Sequence, residues 1–108
     1  MKSELESLYK LILSRKEDGE EGSYTKYLFS KGIDKILKKI GEESTEVIIA
    51  SKGDSREDQV AEICDLTYHL LVLMAELNIP LESVEEELKK RSEKISNFKG
   101  ERKEVQDL

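Results

Sequence analysis

At 108 residues the chain is long enough for one domain with a modest core, and a partner chain would help to cover its remaining apolar surface. A net charge of -6 excludes the basic face of a general nucleic-acid binder, although an acidic protein can still hold a phosphorylated ligand through a metal ion and a few lysines. A single Cys excludes an internal disulfide, and neither a secretion signal nor an apolar run of about 18 residues is present, so the expectation is a soluble cytoplasmic protein without a membrane partner.

With 39% charged residues, one Pro and six Gly, mostly at the ends of periodic runs, the composition predicts an all-α chain of long helices and short connections. The first helix is expected from Ser3 to about Glu17, with Ser3 and Glu6 in capping-box spacing and Leu5, Leu8 and Ile12 on one stripe beside Tyr9 and Leu13. Asp18-Gly19-Glu20-Glu21-Gly22 breaks the period. Ser23 then caps a short helix through Tyr27, Leu28 and Phe29 that stops near Gly32. Backbone N–H groups at this helix start, with the Ser23 and Thr25 hydroxyls, could hold a phosphate; a plain N-cap is the simpler reading. Tyr24 and Tyr27 can stack on a base or pack between helices.

The second long helix is expected from Ile33 to Lys52, ending at Gly53. Ile33, Ile36, Leu37, Ile40, Val47 and Ile48 share one face, with Lys39, Glu43, Glu46 and Ala50 along its flank. Glu42 lies near the opposite side beside Ile49, which hints at a second buried surface. A third long helix starts at Asp54 or Ser55 and runs to about Leu77, before Asn78-Ile79-Pro80. Apolar residues from Val60 to Leu77 surround most of it, which predicts a buried helix with Cys64 and Met74 in the core. The exception is a stripe of Glu62, Asp65 and His69, with Glu76 two turns further on. A fourth long helix follows Pro80, with Leu81, Val84, Leu88, Ile95 and Phe98 on one side and Glu85–Lys89 and Glu86–Lys90 pairs at i, i+4 on a solvated face. The domain is expected over residues 1–98, with a charged tail over 99–108 that frays after Gly100.

Glu43 with Glu46 and Glu62 with Asp65 stand three apart on helices that otherwise want to be buried. Charges in such a place must be paired or bound to a cation. Carboxylates from two helices, without thiolates and with one His in the chain, form a hard oxygen site suited to Mg²⁺ or Mn²⁺ rather than zinc. A di-iron bundle requires Glu-x-x-His on two helices, and here Leu66 stands three residues before His69. Mg²⁺ held by a few carboxylates keeps positions open for phosphates, and since no Walker-type glycine loop is present, lysines such as Lys39 and Lys52 would share that load. The competing reading is two salt-bridged surface faces, with His69 a satisfied core residue.

Glu43-x-x-Glu46 followed by Glu62-x-x-Asp65 resembles the all-α nucleotide pyrophosphohydrolases related to MazG. Within them, Gly22-Ser23-Tyr24-Thr25, Lys39-Ile40-Gly41-Glu42-Glu43, Glu46-Val47, Ile49-Ala50-Ser51-Lys52, Glu62-x-x-Asp65-Leu66 and Tyr68-His69 resemble the phosphoribosyl-ATP pyrophosphatase family of histidine biosynthesis, over about residues 5 to 95. A proline that often precedes the Gly-Ser-Tyr-Thr segment is replaced by Glu20-Glu21, and the part after Arg91 departs from the family pattern. The resemblance implies a MazG-like bundle of four to five helices completed by dimerisation. It also implies Mg²⁺-dependent hydrolysis of the α–β phosphate bond of phosphoribosyl-ATP, giving phosphoribosyl-AMP and pyrophosphate. Glu43, Glu46, Glu62 and Asp65 would hold metal, Glu42 would orient water, Lys39 and Lys52 would meet phosphate oxygens, and Ser23, Tyr24 and Thr25 would close over the nucleotide end. Two other functions fit parts of the pattern: a house-cleaning nucleoside triphosphate pyrophosphatase with the same metal site, and a non-enzymatic helical dimerisation module.

Overall fold

A computed structural model describes residues 3–18 and 22–96, which form five helices and no strand among the described residues. α1 spans Glu4–Asp18, α2 Tyr24–Lys31, α3 Ile33–Lys52, α4 Arg56–Glu76 and α5 Leu81–Ser96. The starts follow from local chemistry. Ser3, Ser23 and Ser55 each accept a hydrogen bond at 3.2 Å from the backbone N–H three residues on, satisfying a donor the helix cannot. Gly32 ends α2 and begins α3 at φ +88° and ψ -171°, a conformation open essentially to glycine alone, so the two helices meet without an intervening loop.

α3 and α4, joined by residues 53–55, form an antiparallel hairpin that packs along its length and is the frame of the molecule. Asn78 at φ +59° turns the chain out of α4 while the Ile79 N–H closes back on the Met74 carbonyl, and Pro80 then precedes α5. Lys16 reaches across from α1 and donates to the Ala75 carbonyl at 2.8 Å and to Asn78 Oδ1 at 3.2 Å, which puts a cation on the negative end of α4.

The core gathers Tyr9 and Ile12 of α1, Leu28 of α2, Ile36 of α3, Leu71, Val72 and Ala75 of α4, and Leu81 of α5. Tyr9 is buried without an unpaired hydroxyl, because it donates to the Ile79 carbonyl at 2.6 Å. All these residues lie at one end of the hairpin, where the N-terminal part of α3 meets the C-terminal part of α4 under α1 and α2. At the other end the hairpin stands alone. No residue between Gly41 and Tyr68 is buried.

That asymmetry corrects several expectations. α4 is not buried all round: Val60 and Cys64 are exposed, and Ile63 is 52% exposed. On α3, Leu37 and Ile48 leave the expected core face, Ile48 reaching 64% exposure, and Ile49 is exposed as well. Apolar periodicity marks surface that seeks cover, but burial depends on a covering element, and α1 and α2 reach only one end of the hairpin. On α5, Leu81 docks while Leu88 and Ile95 are exposed, and the ion pair of this helix is Glu87–Arg91 at 3.2 Å rather than the two expected pairs. Phe98, Gly100, the tail over 99–108 and the expected Glu20-Glu21 break lie outside the described residues. Among the described residues no helix is long and apolar enough to cross a membrane.

Candidate carboxylate site between α3 and α4

The hairpin brings the two acidic pairs together because their spacings mirror each other. Glu46 and Glu62 each stand eight residues from Asp54, and Glu43 and Asp65 each stand eleven, so an antiparallel pair places them at matching heights. Glu43, Glu62 and Asp65 each offer a carboxylate oxygen within 4.8 Å of the others. Glu46, exposed one turn along α3, falls outside this group of three, though it is close enough for its charge to act on Glu62. Oxygens around one octahedral Mg²⁺ lie about 3 to 4 Å apart, so small side-chain rotations would close the group around such an ion. The donor set is all oxygen, which fits that ion and not a soft one.

The electrostatics agree. Lys39 Nζ lies 3.6 Å from Glu43 Oε1 and 3.4 Å from Glu42 Oε1. Glu62 and Asp65 have no ion-pair partner among the described residues. Desolvation raises the Glu62 carboxyl above its ordinary range, and repulsion from and hydrogen bonding to Asp65, then the charges of Glu46 and Glu43, raise it further. Desolvation pulls Lys39 down but is outweighed by Tyr24, Glu42 and Glu43, so its pKa is raised and it remains a cation. The reading of two salt-bridged faces therefore holds for Lys39 and its two glutamates and fails for α4.

Behind the acids, α2 is pinned to α4. His69 is buried, 5% exposed, with Nδ1 2.7 Å from the Asp65 carbonyl and Nε2 3.0 Å from the Tyr24 hydroxyl. The Thr25 hydroxyl is hydrogen-bonded to the Tyr68 hydroxyl. Tyr24 stacks against Tyr27 and Tyr68, each centroid 6.2 Å away, and meets His69 edge-on. Ser23, Tyr24, Gly22, Lys26, Tyr27 and Ser30 line an open depression of about 520 Å³ beside this stack.

The expected site residues thus divide. Glu43, Glu62 and Asp65 converge; Lys39 pairs with Glu43; Glu42 is half-exposed on the far side of Lys39. Ser23 serves as the N-cap, and the hydroxyls of Tyr24 and Thr25 are engaged by α4 rather than held free for a phosphate. Lys52 is not brought to the cluster: nine residues beyond Glu43 it is about 13 Å further along the helix and turned to the opposite side. Sequence reasoning missed Tyr68 and His69 as the partners of Thr25 and Tyr24. The available signal was His69 four residues after Asp65, on the same face of α4.

Fold and site together define an all-α bundle protein with a hard oxygen-donor cluster held between two antiparallel helices. Residues 5–92 match the family model described as phosphoribosyl-ATP pyrophosphohydrolase. The chain is 60% identical to a phosphoribosyl-ATP pyrophosphatase of Clostridium acetobutylicum, over 96% of its own length and 94% of the relative's. It is 60% identical to one of Listeria monocytogenes serotype 4a over 96% and 99%, and 54% identical to one of Clostridium novyi over 96% and 94%. The chain belongs to the phosphoribosyl-ATP pyrophosphohydrolase family.

Proposed function

We propose that this chain hydrolyses the α–β phosphate bond of phosphoribosyl-ATP, releasing phosphoribosyl-AMP and pyrophosphate, a step of histidine biosynthesis. The observation that carries the reading is the convergence of Glu43, Glu62 and Asp65 in a chain of this family. These three would hold Mg²⁺, with Mn²⁺ as a substitute and Glu46 as a further ligand directly or through water. The ion supplies charge neutralisation of the triphosphate and a bound water of lowered pKa.

The protein's own residues do the rest. Lys39 exchanges its hold on Glu42 and Glu43 for a phosphate oxygen when the triphosphate arrives. That exchange frees the Glu42 carboxylate to accept a hydrogen bond from the attacking water and orient it towards phosphorus. Ser23 and the Tyr24 ring line the depression that receives the nucleotide end, and Thr25 fixes its floor through Tyr68. Lys52, at the far end of α3, lies away from the cluster of its own chain.

Two copies complete the bundle. Ile48, Ile49, Val60 and Ile63 are exposed on the same half of the hairpin that carries the acids, and a second chain covering them would wall the site with apolar surface. Product analysis tests the reaction: phosphorus NMR of the Mg²⁺-dependent reaction should show pyrophosphate and phosphoribosyl-AMP, whereas release of orthophosphate alone would refute α–β cleavage.

A further inference from the structure

The depression beside α2 and the carboxylate cluster between α3 and α4 are separate surfaces, and one buried side chain touches the framework of both. His69 Nδ1 faces the backbone carbonyl of Asp65 at 2.7 Å. A carbonyl can only accept, so Nδ1 carries the proton. In the neutral ring Nε2 is then the bare nitrogen and accepts, which makes the Tyr24 hydroxyl 3.0 Å away the donor. The tautomer follows from the two partners. Partial desolvation raises the Tyr24 phenol above its ordinary value, although Lys39 pulls it down.

We propose that His69 is a positioning residue for the reaction: anchored through Nδ1 on the Asp65 carbonyl, it accepts a hydrogen bond from the Tyr24 hydroxyl and so locks the substrate-facing start of α2 in register with the turn of α4 that carries Asp65. This rests on the reading given under Proposed function. The geometry shows why such a lock is needed. α2 holds eight residues, and its first turn faces the depression while being tied down through Tyr24 and Thr25. Tyr24 is 45% exposed, so packing alone does not fix its ring, whereas the ring of His69 is fixed by burial and by the edge of Tyr68 at 4.9 Å. Fixing the Tyr24 ring fixes the wall of the depression relative to Glu43, Glu62 and Asp65. Metal binding does not need this link, because the three acids are positioned by α3 and α4 themselves. Catalysis on a substrate that spans both surfaces does.

The test compares Tyr24→Phe, His69→Leu, His69→Gln and the double variant Tyr24→Phe/His69→Leu with wild type. Tyr24→Phe keeps the ring of a half-exposed residue, so it should fold even if His69→Leu does not. Expected are a fall of about 10-fold in kcat/KM on phosphoribosyl-ATP for Tyr24→Phe and for His69→Leu, and no further fall in the double variant, because both remove one link. His69→Gln, whose amide oxygen can take the place of Nε2 as acceptor, should recover most of the loss. Mn²⁺ affinity, measured by electron paramagnetic resonance, should stay within about twofold of wild type in all variants, because the donor set is untouched. A folded Tyr24→Phe with wild-type kcat/KM would overturn the role of His69, as would losses that multiply in the double variant or Mn²⁺ affinity that falls with activity. Inactivity of the wild type on phosphoribosyl-ATP would instead overturn the underlying reading.

Discussion

Lys39 reaches one turn along α3 to Glu43, Nζ to Oε1 3.6 Å, and in doing so neutralises the acid of the cluster that α3 contributes while leaving Glu62 and Asp65 of α4 to face each other. No cationic side chain among the described residues pairs with these two. Mn²⁺ or Mg²⁺ should therefore stabilise the folded protein, by about 2.7 kcal/mol at a hundredfold excess over Kd. Glu62→Gln should separate the two effects. Removing a carboxyl that its neighbours already push towards protonation leaves the metal-free melting temperature at or above wild type, while the metal-dependent rise is lost. Thermal melts with and without millimolar Mn²⁺ check both, and a wild-type melting temperature indifferent to metal would contradict the cluster's assignment.

The exposed apolar half of the hairpin predicts association. Light scattering of wild type at micromolar concentration should give twice the chain mass of 12.4 kDa. Glu substituted at Ile49 and Ile63, both outside the core of the single chain, should give the monomer mass without unfolding α1 and α2. A wild-type monomer would remove the second copy from the account.

Gly32 sets the angle at which α2 leaves α3. Its φ of +88° with ψ near 180° is strained for any residue with a Cβ, even though the space around it is open. Gly32→Ala should cost about 1 to 3 kcal/mol in denaturant unfolding. A neutral substitution would show that the junction can relax.

How far each feature could be read in advance depended on how local its cause was. Gly32, Gly53 and Pro80 mark helix ends through their own backbone chemistry and Ser55 through its capping hydroxyl, and the observed boundaries fall at or beside them. The acidic pairs were legible because i, i+3 spacing and a short hairpin are both local. Convergence of three acids rather than four was not, since it depends on side-chain reach across the hairpin. Exposure of Cys64, Val60 and Ile48 was hidden for another reason: periodicity shows which surface seeks cover and not whether one chain supplies it. Tyr24–His69 and Thr25–Tyr68 join residues more than forty positions apart, which no spacing rule foretells, and they make anchors to α4 of a ring expected to stack or pack and of the Thr25 hydroxyl.

Tyr9 predicts a specific alkaline behaviour. Burial, and then the nearby charge of Glu82, raise its phenol above the ordinary value of 10.0. A group whose folded pKa is raised contributes stability that is intact below the unfolded pKa and is lost as pH rises through the folded one. Tyr9→Phe loses the bond to the Ile79 carbonyl and should be about 1 kcal/mol less stable at pH 7. Having no proton to lose there, it should narrow that gap as pH climbs above about 10. Urea unfolding of both proteins across this range checks it, and a constant gap would contradict the shift.

The most direct measurement of the central claim is kcat/KM of wild-type protein with Mg²⁺ on phosphoribosyl-ATP, ATP and dUTP, with Glu43→Gln and Glu62→Gln alongside. As expected for a chain of this family, phosphoribosyl-ATP should be clearly preferred over the other two. Both variants should lose at least about 100-fold, since ligands to the metal would be removed. Comparable rates on ATP or dUTP, or variants as active as wild type, would contradict the account.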